Sequence, residues 1–138
     1  MRTNLEQARH LMESQGYTCV LYKAGRVYTS DQRGVRPLLN WLESGADVRG
    51  YSAADKVVGK ATALLYCLLG VREVYAGVIS RAAELVLLGH GVPVLYSQRV
   101  DFIFNRSRTG QCPMEAATKD IDDPEAGLAA IRQALKRL

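Results

Sequence analysis

The stretch that decides the fold is residues 52–70, which read SAADKVVGKATALLYCLLG. Its apolar side chains leave hardly any polar face, and they are Val57, Val58, Ala61, Leu64, Leu65 and Leu68. A segment that is apolar all round is typical of a helix buried in the core. The pattern therefore predicts one central helix over residues 52–69.

Strands and helices alternate on the C-terminal side of this predicted helix. The sequence predicts a strand over residues 71–79, a helix capped by Ser80 and ended by Gly89, and a strand over residues 92–96. Such alternation is typical of parallel strands joined by right-handed crossovers. Residues 99–105 fit either an edge strand or a helical turn, because periodicity over so few residues favours neither.

Two further strands lie on the N-terminal side. Residues 17–23 and 26–30 are β-branched and aromatic, and Ala24-Gly25 between them suits a tight hairpin. The hairpin would make the sheet mixed. The remaining helices are predicted to begin at Thr3, at Pro37, at Pro113 and at Asp123-Pro124. Thr3 would form a capping box with Glu6. The last helix would have one apolar face, made of Leu128, Ile131, Leu135 and Leu138.

These elements predict an α/β fold, a three-layer α-β-α sandwich with a mixed sheet. A chain of 138 residues is expected to form one domain, residues 1–138. No apolar run approaches the roughly 18 residues of a membrane span, and the N-terminus lacks the apolar region of a signal peptide. We therefore expect a cytoplasmic protein without a membrane partner.

Composition also bears on metals and on ligands. Three cysteines form no close pair, the two histidines lie far apart and no C-x-x-C is present, so we expect no metal and no cofactor. A net charge of +4 favours a small anionic ligand. We expect no nucleic-acid partner, since only Arg99, Arg106 and Arg108 cluster.

Two lysines are unfavourably placed within the predicted central helix. Lys56 and Lys60 would lie one turn apart near its positive end, an arrangement that an anion would relieve. They could also extend to solvent past their apolar stems. Gly59 between them would permit a ligand or a neighbouring backbone to approach closely. The sequence thus offers Lys56 and Gly59 as ligand-binding residues.

Asp55 has two readings. Ser52-x-x-Asp55 is a capping-box spacing, so the carboxylate could satisfy backbone donors. It could instead hold a lysine or accept a proton from one.

Residues 105–117, NRSRTGQCPMEAA, form a second unusual segment. Cys112 would cap the helix that opens at Pro113, where the positive end of the dipole favours a thiolate, and Arg106 and Arg108 would add to this. The alternative is a small buried thiol that only contributes to packing. Cys19 and Cys67 lie in apolar stretches and are assigned to packing.

The element order, with residues 54–61 (ADKVVGKA) and 105–117, resembles an uncharacterised bacterial family on the cytidine deaminase-like fold. The matching residues are those of 54–61, with Asn105-Arg106, Thr109-Gly110 and 112–115. The resemblance covers nearly the whole chain and implies a helix–sheet–helix sandwich.

The sequence departs from the zinc-dependent members of that fold. Their two metal-binding helices open with H-A-E or C-A-E and with P-C-x-x-C, whereas this chain has Asp55 without a neighbouring ligand and Ser80-Arg81-Ala82-Ala83-Glu84. Zinc-dependent deamination needs those ligands, so it is excluded. The resemblance still implies a cleft where two helix N-termini meet, at Ser52 and Ser80, with Lys56, Lys60 and Arg81 nearby.

Three functions compete. The first is a metal-independent enzyme acting on a phosphorylated or nucleotide-like small molecule, which binds its anion through Lys56, Lys60 and Arg81. Cys112 would be its nucleophile, and Asp55 or Lys60 would handle protons. The second is a catalytically inactive nucleotide or metabolite sensor. The third is a homo-oligomer formed through the C-terminal helix. The expected ligand-binding residues are Lys56, Gly59, Ser80, Arg81, Asn105, Arg106 and Gly110.

Overall fold

A five-stranded mixed sheet forms the centre of the chain in the computed structural model, which describes residues 2–104, 110 and 112–138. The elements over those residues are, in chain order, α1 (Asn4–Gln15), β1 (Cys19–Lys23), β2 (Arg26–Ser30), α2 (Arg36–Ser44), β3 (Ser52–Val58), α3 (Lys60–Leu69), β4 (Glu73–Ser80), α4 (Arg81–Gly89), β5 (Val94–Val100), α5 (Pro113–Thr118) and α6 (Pro124–Lys136). None of the described helices is both long and apolar enough to cross a membrane.

The strands lie in the order β2-β1-β3-β4-β5. β1 pairs antiparallel with β2 and with β3, whereas β3, β4 and β5 run parallel to one another. β3 is therefore the strand at which the antiparallel hairpin meets the parallel part of the sheet. In open α/β sheets, ligands bind in crevices beyond the carboxyl ends of the parallel strands.

Helices cover both faces of the sheet. Val20, Ala54 and Tyr75 pack with Ala8 and Met12 of α1 on one face. Their neighbours in the same strands, Leu21, Ala53 and Val74, belong to the larger core on the other face. Successive side chains of a strand point to opposite faces, so these two clusters define two packed layers around the sheet.

The single helix predicted over residues 52–69 is wrong. The segment is the strand β3 followed directly by α3, with Gly59 as the N-cap in extended backbone. Alanine-rich sequence favours a helix, but residues 52–58 gain hydrogen bonds from β1 on one side and β4 on the other, and this pairing overrides local propensity. Asp55 therefore caps no helix, and Lys56 and Lys60 are not one helical turn apart.

Other boundaries move by a few residues. The strand predicted over 71–79 is Glu73–Ser80, and that predicted over 92–96 is Val94–Val100. Residues 99–100 thus belong to a strand, whereas Asn105 lies outside the described residues. The predicted caps at Thr3 and Ser80 are confirmed, as is the start of the last helix at Asp123-Pro124, where Asp123 is the N-cap.

The amphipathic C-terminal helix has its apolar face within the molecule. Ile131 is fully buried, and a Cβ added to Gly127 would lie 2.7 Å from Leu64 Cδ1 of α3. The apolar face of this helix therefore packs on α3, and pairing with a second copy stays a prediction. Leu138 is the exception, because it follows the helix and is exposed.

Candidate functional site

A pocket of about 380 Å³ lies beyond the carboxyl end of β3. β1 begins beside it, α3 begins within it, and the segments that lead into α2 and α5 close its sides. Its described lining is Thr18, Cys19, Gln32, Arg33, Gly34, Val35, Pro37, Asp55, Lys56, Val57, Gly59, Ala61, Thr62, Ile103, Phe104, Cys112, Met114 and Glu115. The pocket thus lies beyond the carboxyl end of a parallel strand, where a ligand is expected.

Three buried polar side chains form a hydrogen-bonded chain at the wall of this pocket. Tyr66 Oη donates to Asp55 Oδ2 over 2.7 Å and lies 3.0 Å from Cys19 Sγ. Cys19 and Asp55 are directly opposite residues of β1 and β3, so both side chains point to the face that α3 covers. Since Tyr66 has one proton to give, the Cys19 thiol is the donor to Tyr66 whenever Tyr66 donates to Asp55.

Burial controls the protonation of this chain. Desolvation raises the pKa of Asp55 to about 7, although hydrogen bonds from Tyr66 and from the Val57 backbone oppose the rise. Desolvation likewise raises the pKa of Cys19 and of Tyr66 well above their ordinary values, so both stay protonated at neutral pH. Asp55 is therefore the member of the chain that changes charge near pH 7.

Glu115 supplies a second carboxyl group to the pocket. Its Oε1 accepts a hydrogen bond from the backbone N–H of Lys60, and burial raises its pKa. A Cβ at residue 59 would collide with Glu115 Oε1, so glycine at this position allows the carboxylate to reach the amino end of α3. The expected close approach at Gly59 is thus made by a side chain of the same protein.

Lys60 points away from the pocket. Its Nζ donates to Lys119 O over 2.9 Å and lies 3.0 Å from Asp122 Oδ1, with the side chain 7% exposed. The ammonium group therefore fastens the segment between α5 and α6 to the start of α3. Lys56, in contrast, is an exposed residue of β3 that lines the pocket, as does exposed Arg33.

The other expected ligand-binding residues are scattered. Ser80 is buried and its Oγ accepts the N–H of Ala83, whereas Arg81 is exposed at the start of α4. Neither residue lines the pocket, and Gly110 is absent from its described lining. Asn105 and Arg106 lie outside the described residues.

Cys112 is the N-cap of α5, as the sequence predicts, and it lines the pocket. Its backbone N–H donates to Ile103 O over 3.0 Å, which fixes its position, and its thiol is partly exposed. The structure thus brings together four of the expected site residues, namely Asp55, Lys56, Gly59 and Cys112.

Cys112 is expected to be the first cysteine that a limiting amount of iodoacetamide alkylates at pH 7. Cys19 is 1% exposed, and burial raises the pKa of Cys67 to about 11, so both react slowly. Peptide mapping by mass spectrometry after short exposure measures the order. Labelling of Cys112 only after unfolding would show that it is a packing residue.

Sequence reasoning missed Tyr66, Thr62 and the contact of Glu115 with α3. One signal was present, because a tyrosine inside an otherwise apolar helix needs a partner for its hydroxyl. Over the described part of the chain, no group of three or more His, Cys, Asp or Glu side chains is placed to hold a metal ion.

The chain resembles known proteins both in sequence and in structure. A family model described as "TM1506: Domain of unknown function (DUF1893)" matches residues 7–135. The chain is similar to the crystal structure of a DUF1893 family protein from Thermotoga maritima, with a TM-score of 0.85 at 24% identity over 100% of this chain and 92% of that one. No curated protein matches. The likeness supports the α/β fold with a five-stranded mixed sheet flanked by helices.

Proposed function

Because the chain belongs to the DUF1893 family, whose description assigns no reaction, we propose a function from the pocket. It binds a small phosphorylated or nucleotide-like molecule, and Asp55 exchanges a proton with that molecule in metal-independent chemistry. The observation that carries this proposal is the buried Asp55 carboxyl in the pocket wall, with its pKa raised to about 7. A general acid or base works best when its pKa lies near the working pH.

The size and charge of the pocket support a small anionic ligand. A volume of about 380 Å³ falls within the roughly 300–1,000 Å³ of small-molecule sites. Lys56 and Arg33 supply positive charge where the lining is exposed, while Pro37 and Met114 supply buried apolar surface. A ligand with an anionic group and an apolar or heteroaromatic body satisfies both.

Cys112 keeps its proposed role as a nucleophile, since it shares the pocket with Asp55. Lys60 and Arg81 have no part in the proposal, because neither lines the pocket. The cytidine deaminase-like assignment also stays a proposal. A sheet with helices on both faces supports it.

A sensor without catalysis is the second candidate, and one observation favours it. Both Asp55 oxygens accept hydrogen bonds from the protein itself, Oδ2 from Tyr66 and Oδ1 from the Val57 N–H over 3.3 Å. A carboxyl engaged in this way can serve structure alone, and the pocket would then only bind its ligand.

Conversion of a small phosphate ester tests the proposal. AMP, CMP, GMP, UMP and ribose 5-phosphate are each incubated with the protein and followed by ¹H NMR, and binding is measured by calorimetry. We expect at least one to bind with a Kd below about 1 mM and to be converted. Asp55→Asn should retain binding within about threefold and lose conversion by about 100-fold or more, the usual contribution of a general acid or base.

Each other outcome decides between the candidates. Conversion at an unchanged rate by Asp55→Asn would refute the role of Asp55. Binding without conversion by the unmodified protein would establish the sensor function instead. If none of the five compounds binds, the pocket does not take this class of molecule. Asp31→Asn is the matched control, since Asp31 is exposed and does not line the pocket.

A further inference from the structure

The hydrogen-bonded side chains of Cys19, Tyr66 and Asp55 meet the pocket at two places. Cys19 and Asp55 both line the pocket, whereas Tyr66 is fully buried and is absent from the described lining. The Tyr66 hydroxyl joins the other two through the protein interior, 2.7 Å from Asp55 Oδ2 and 3.0 Å from Cys19 Sγ. The two ends of this hydrogen-bonded set are therefore both available to a ligand in the pocket.

Each of these three groups can both donate and accept a hydrogen bond when it is protonated. Burial raises the pKa of all three, so Cys19 and Tyr66 keep their protons at pH 7 and Asp55 keeps its proton in about half of the molecules. The hydrogen bonds can then run from Cys19 through Tyr66 to Asp55, or in the opposite direction. A proton that enters at one end can therefore be matched by a proton that leaves at the other.

The Asp55 carboxyl also has an oxygen available to a ligand. Its Oδ1 accepts the Val57 N–H over 3.3 Å, a long contact that leaves a lone pair for a further partner. Cys19 and Asp55 are directly opposite residues of β1 and β3, and the Cβ atoms of such residues lie roughly 5 Å apart. Both ends of the hydrogen-bonded set can therefore contact a single functional group of a small molecule.

On the premise that the pocket takes the small phosphorylated molecule proposed above, we propose that Cys19, Tyr66 and Asp55 form a proton relay that enolises a carbonyl group of that molecule. Asp55 Oδ1 takes the proton from the carbon beside the carbonyl, and the Cys19 thiol gives its proton to the carbonyl oxygen. The proton on Asp55 Oδ2 passes to Tyr66, and the Tyr66 proton passes to Cys19.

Atoms and charges balance in this step. The C–H electron pair becomes a carbon–carbon double bond, and the carbonyl π pair forms the new O–H bond. Each group of the relay loses one proton and gains one, so the relay stays neutral and needs no further reactant. The step ends with Tyr66 donating to Asp55 Oδ2, which is the direction of this hydrogen bond in the structure.

The relay favours a substrate that gives up a proton from carbon. Protons on nitrogen and oxygen exchange with water rapidly without a catalyst, whereas a proton on carbon leaves slowly and needs a base whose pKa lies near the working pH. The substrate class is therefore a phosphorylated α-hydroxycarbonyl compound, whose enol can be reprotonated on either carbon to give an aldose or a ketose. Lys56 and Arg33 supply positive charge for its phosphate where the lining is exposed.

Deuterium exchange in D₂O, followed by ¹H NMR, tests the relay with ribose 5-phosphate and dihydroxyacetone phosphate as probes. The unmodified protein should replace the hydrogen on the carbon beside the carbonyl with deuterium and form the isomeric sugar phosphate. Cys19→Ala and Tyr66→Phe should each slow this exchange by about 100-fold while the probe Kd stays within about threefold. Cys19→Ser should keep the rate within about tenfold, because a hydroxyl also passes a proton.

Cys67→Ala is the matched control for Cys19→Ala. Cys67 follows Tyr66 in α3 but does not line the pocket, so this variant should exchange the probes at the native rate. Urea unfolding establishes that each variant is folded before its exchange rate is compared.

Three results would overturn the relay. The first is that neither probe gains deuterium from the unmodified protein, and the second is that folded Cys19→Ala or Tyr66→Phe exchanges at the native rate. The third is that Cys19→Ser is as slow as Cys19→Ala, which would show that Cys19 only contributes to packing. The proposed function fails separately. It stands without the relay if another phosphate ester is converted by Cys19→Ala but not by Asp55→Asn, and both are refuted if Asp55→Asn works at the native rate.

Discussion

Asp55→Asn is expected to stabilise the protein at pH 8 by roughly 2–4 kcal/mol and to change its stability little at pH 4. The native carboxyl has its pKa raised from 3.8 to about 7 by burial. Each pKa unit corresponds to about 1.4 kcal/mol, so ionised Asp55 at pH 8 costs the folded state roughly 4 kcal/mol. Asparagine carries no charge and keeps an oxygen for the Tyr66 hydroxyl, although it loses part of the hydrogen-bond energy.

The sign of this effect follows from proton binding. The folded protein holds the Asp55 proton to higher pH than the unfolded chain, so its stability falls as pH rises from about 4 to about 7 and then levels off. Glu115 contributes in the same direction, because burial raises its pKa as well. Urea unfolding at pH 4, 6 and 8 measures the change.

Exposed Asp31 provides the control for this experiment. Asp31→Asn should leave the pH dependence of the unfolding free energy unchanged. If Asp55→Asn destabilises the protein equally at all three pH values, the native carboxyl titrates in its ordinary range and the account of the pocket fails.

Gly77→Ala is expected to destabilise the protein by roughly 2–3 kcal/mol, the cost of overpacking a core that cannot adjust. A Cβ on Gly77 in β4 would lie 2.7 Å from the carbonyl oxygen of Lys56 in β3. Pairing of Asp55 with Ala76 and of Val57 with Val78 holds β3 to β4 on either side of Lys56, so this oxygen cannot move without disturbing the sheet.

Gly89→Ala is the matched control for Gly77→Ala. Gly89 is the last residue of α4, and no described atom lies within 4 Å of an added Cβ. Alanine there should leave stability unchanged or raise it by up to about 1 kcal/mol, because alanine favours the helix. Thermal unfolding compares the stability of the two variants directly. Equal stability would show that the β3 backbone moves at Lys56 to accommodate the added Cβ.

Local signals in the sequence predicted the helix ends well because the caps act within a few residues. The capping box at Thr3, the side-chain cap at Asp123 and the left-handed glycine at Gly45 depend on backbone donors and acceptors of the same turn. Residues 52–58 could not be placed in this way. Ala53 and Ala54 favour a helix locally, and their strand conformation depends on pairing with residues far along the chain.

The same contrast between local signals and long-range contacts applies to the site. Local features of the sequence single out four residues that all line the pocket, namely Asp55, Lys56, Gly59 and Cys112. The sequence does not single out Tyr66 or Thr62, because a contact between residues far apart in the chain leaves no local pattern. Lys60 broke a rule as well, yet its charge is satisfied by Lys119 O and Asp122, residues of a distant segment.

The central claim is that the pocket contains a carboxyl group that exchanges its proton near neutral pH. Titration of the Asp55 side-chain carboxyl carbon by ¹³C NMR, from pH 3 to pH 9, measures this group directly. We expect a midpoint at about 7. A midpoint near 4, the ordinary value for an aspartate, would contradict it.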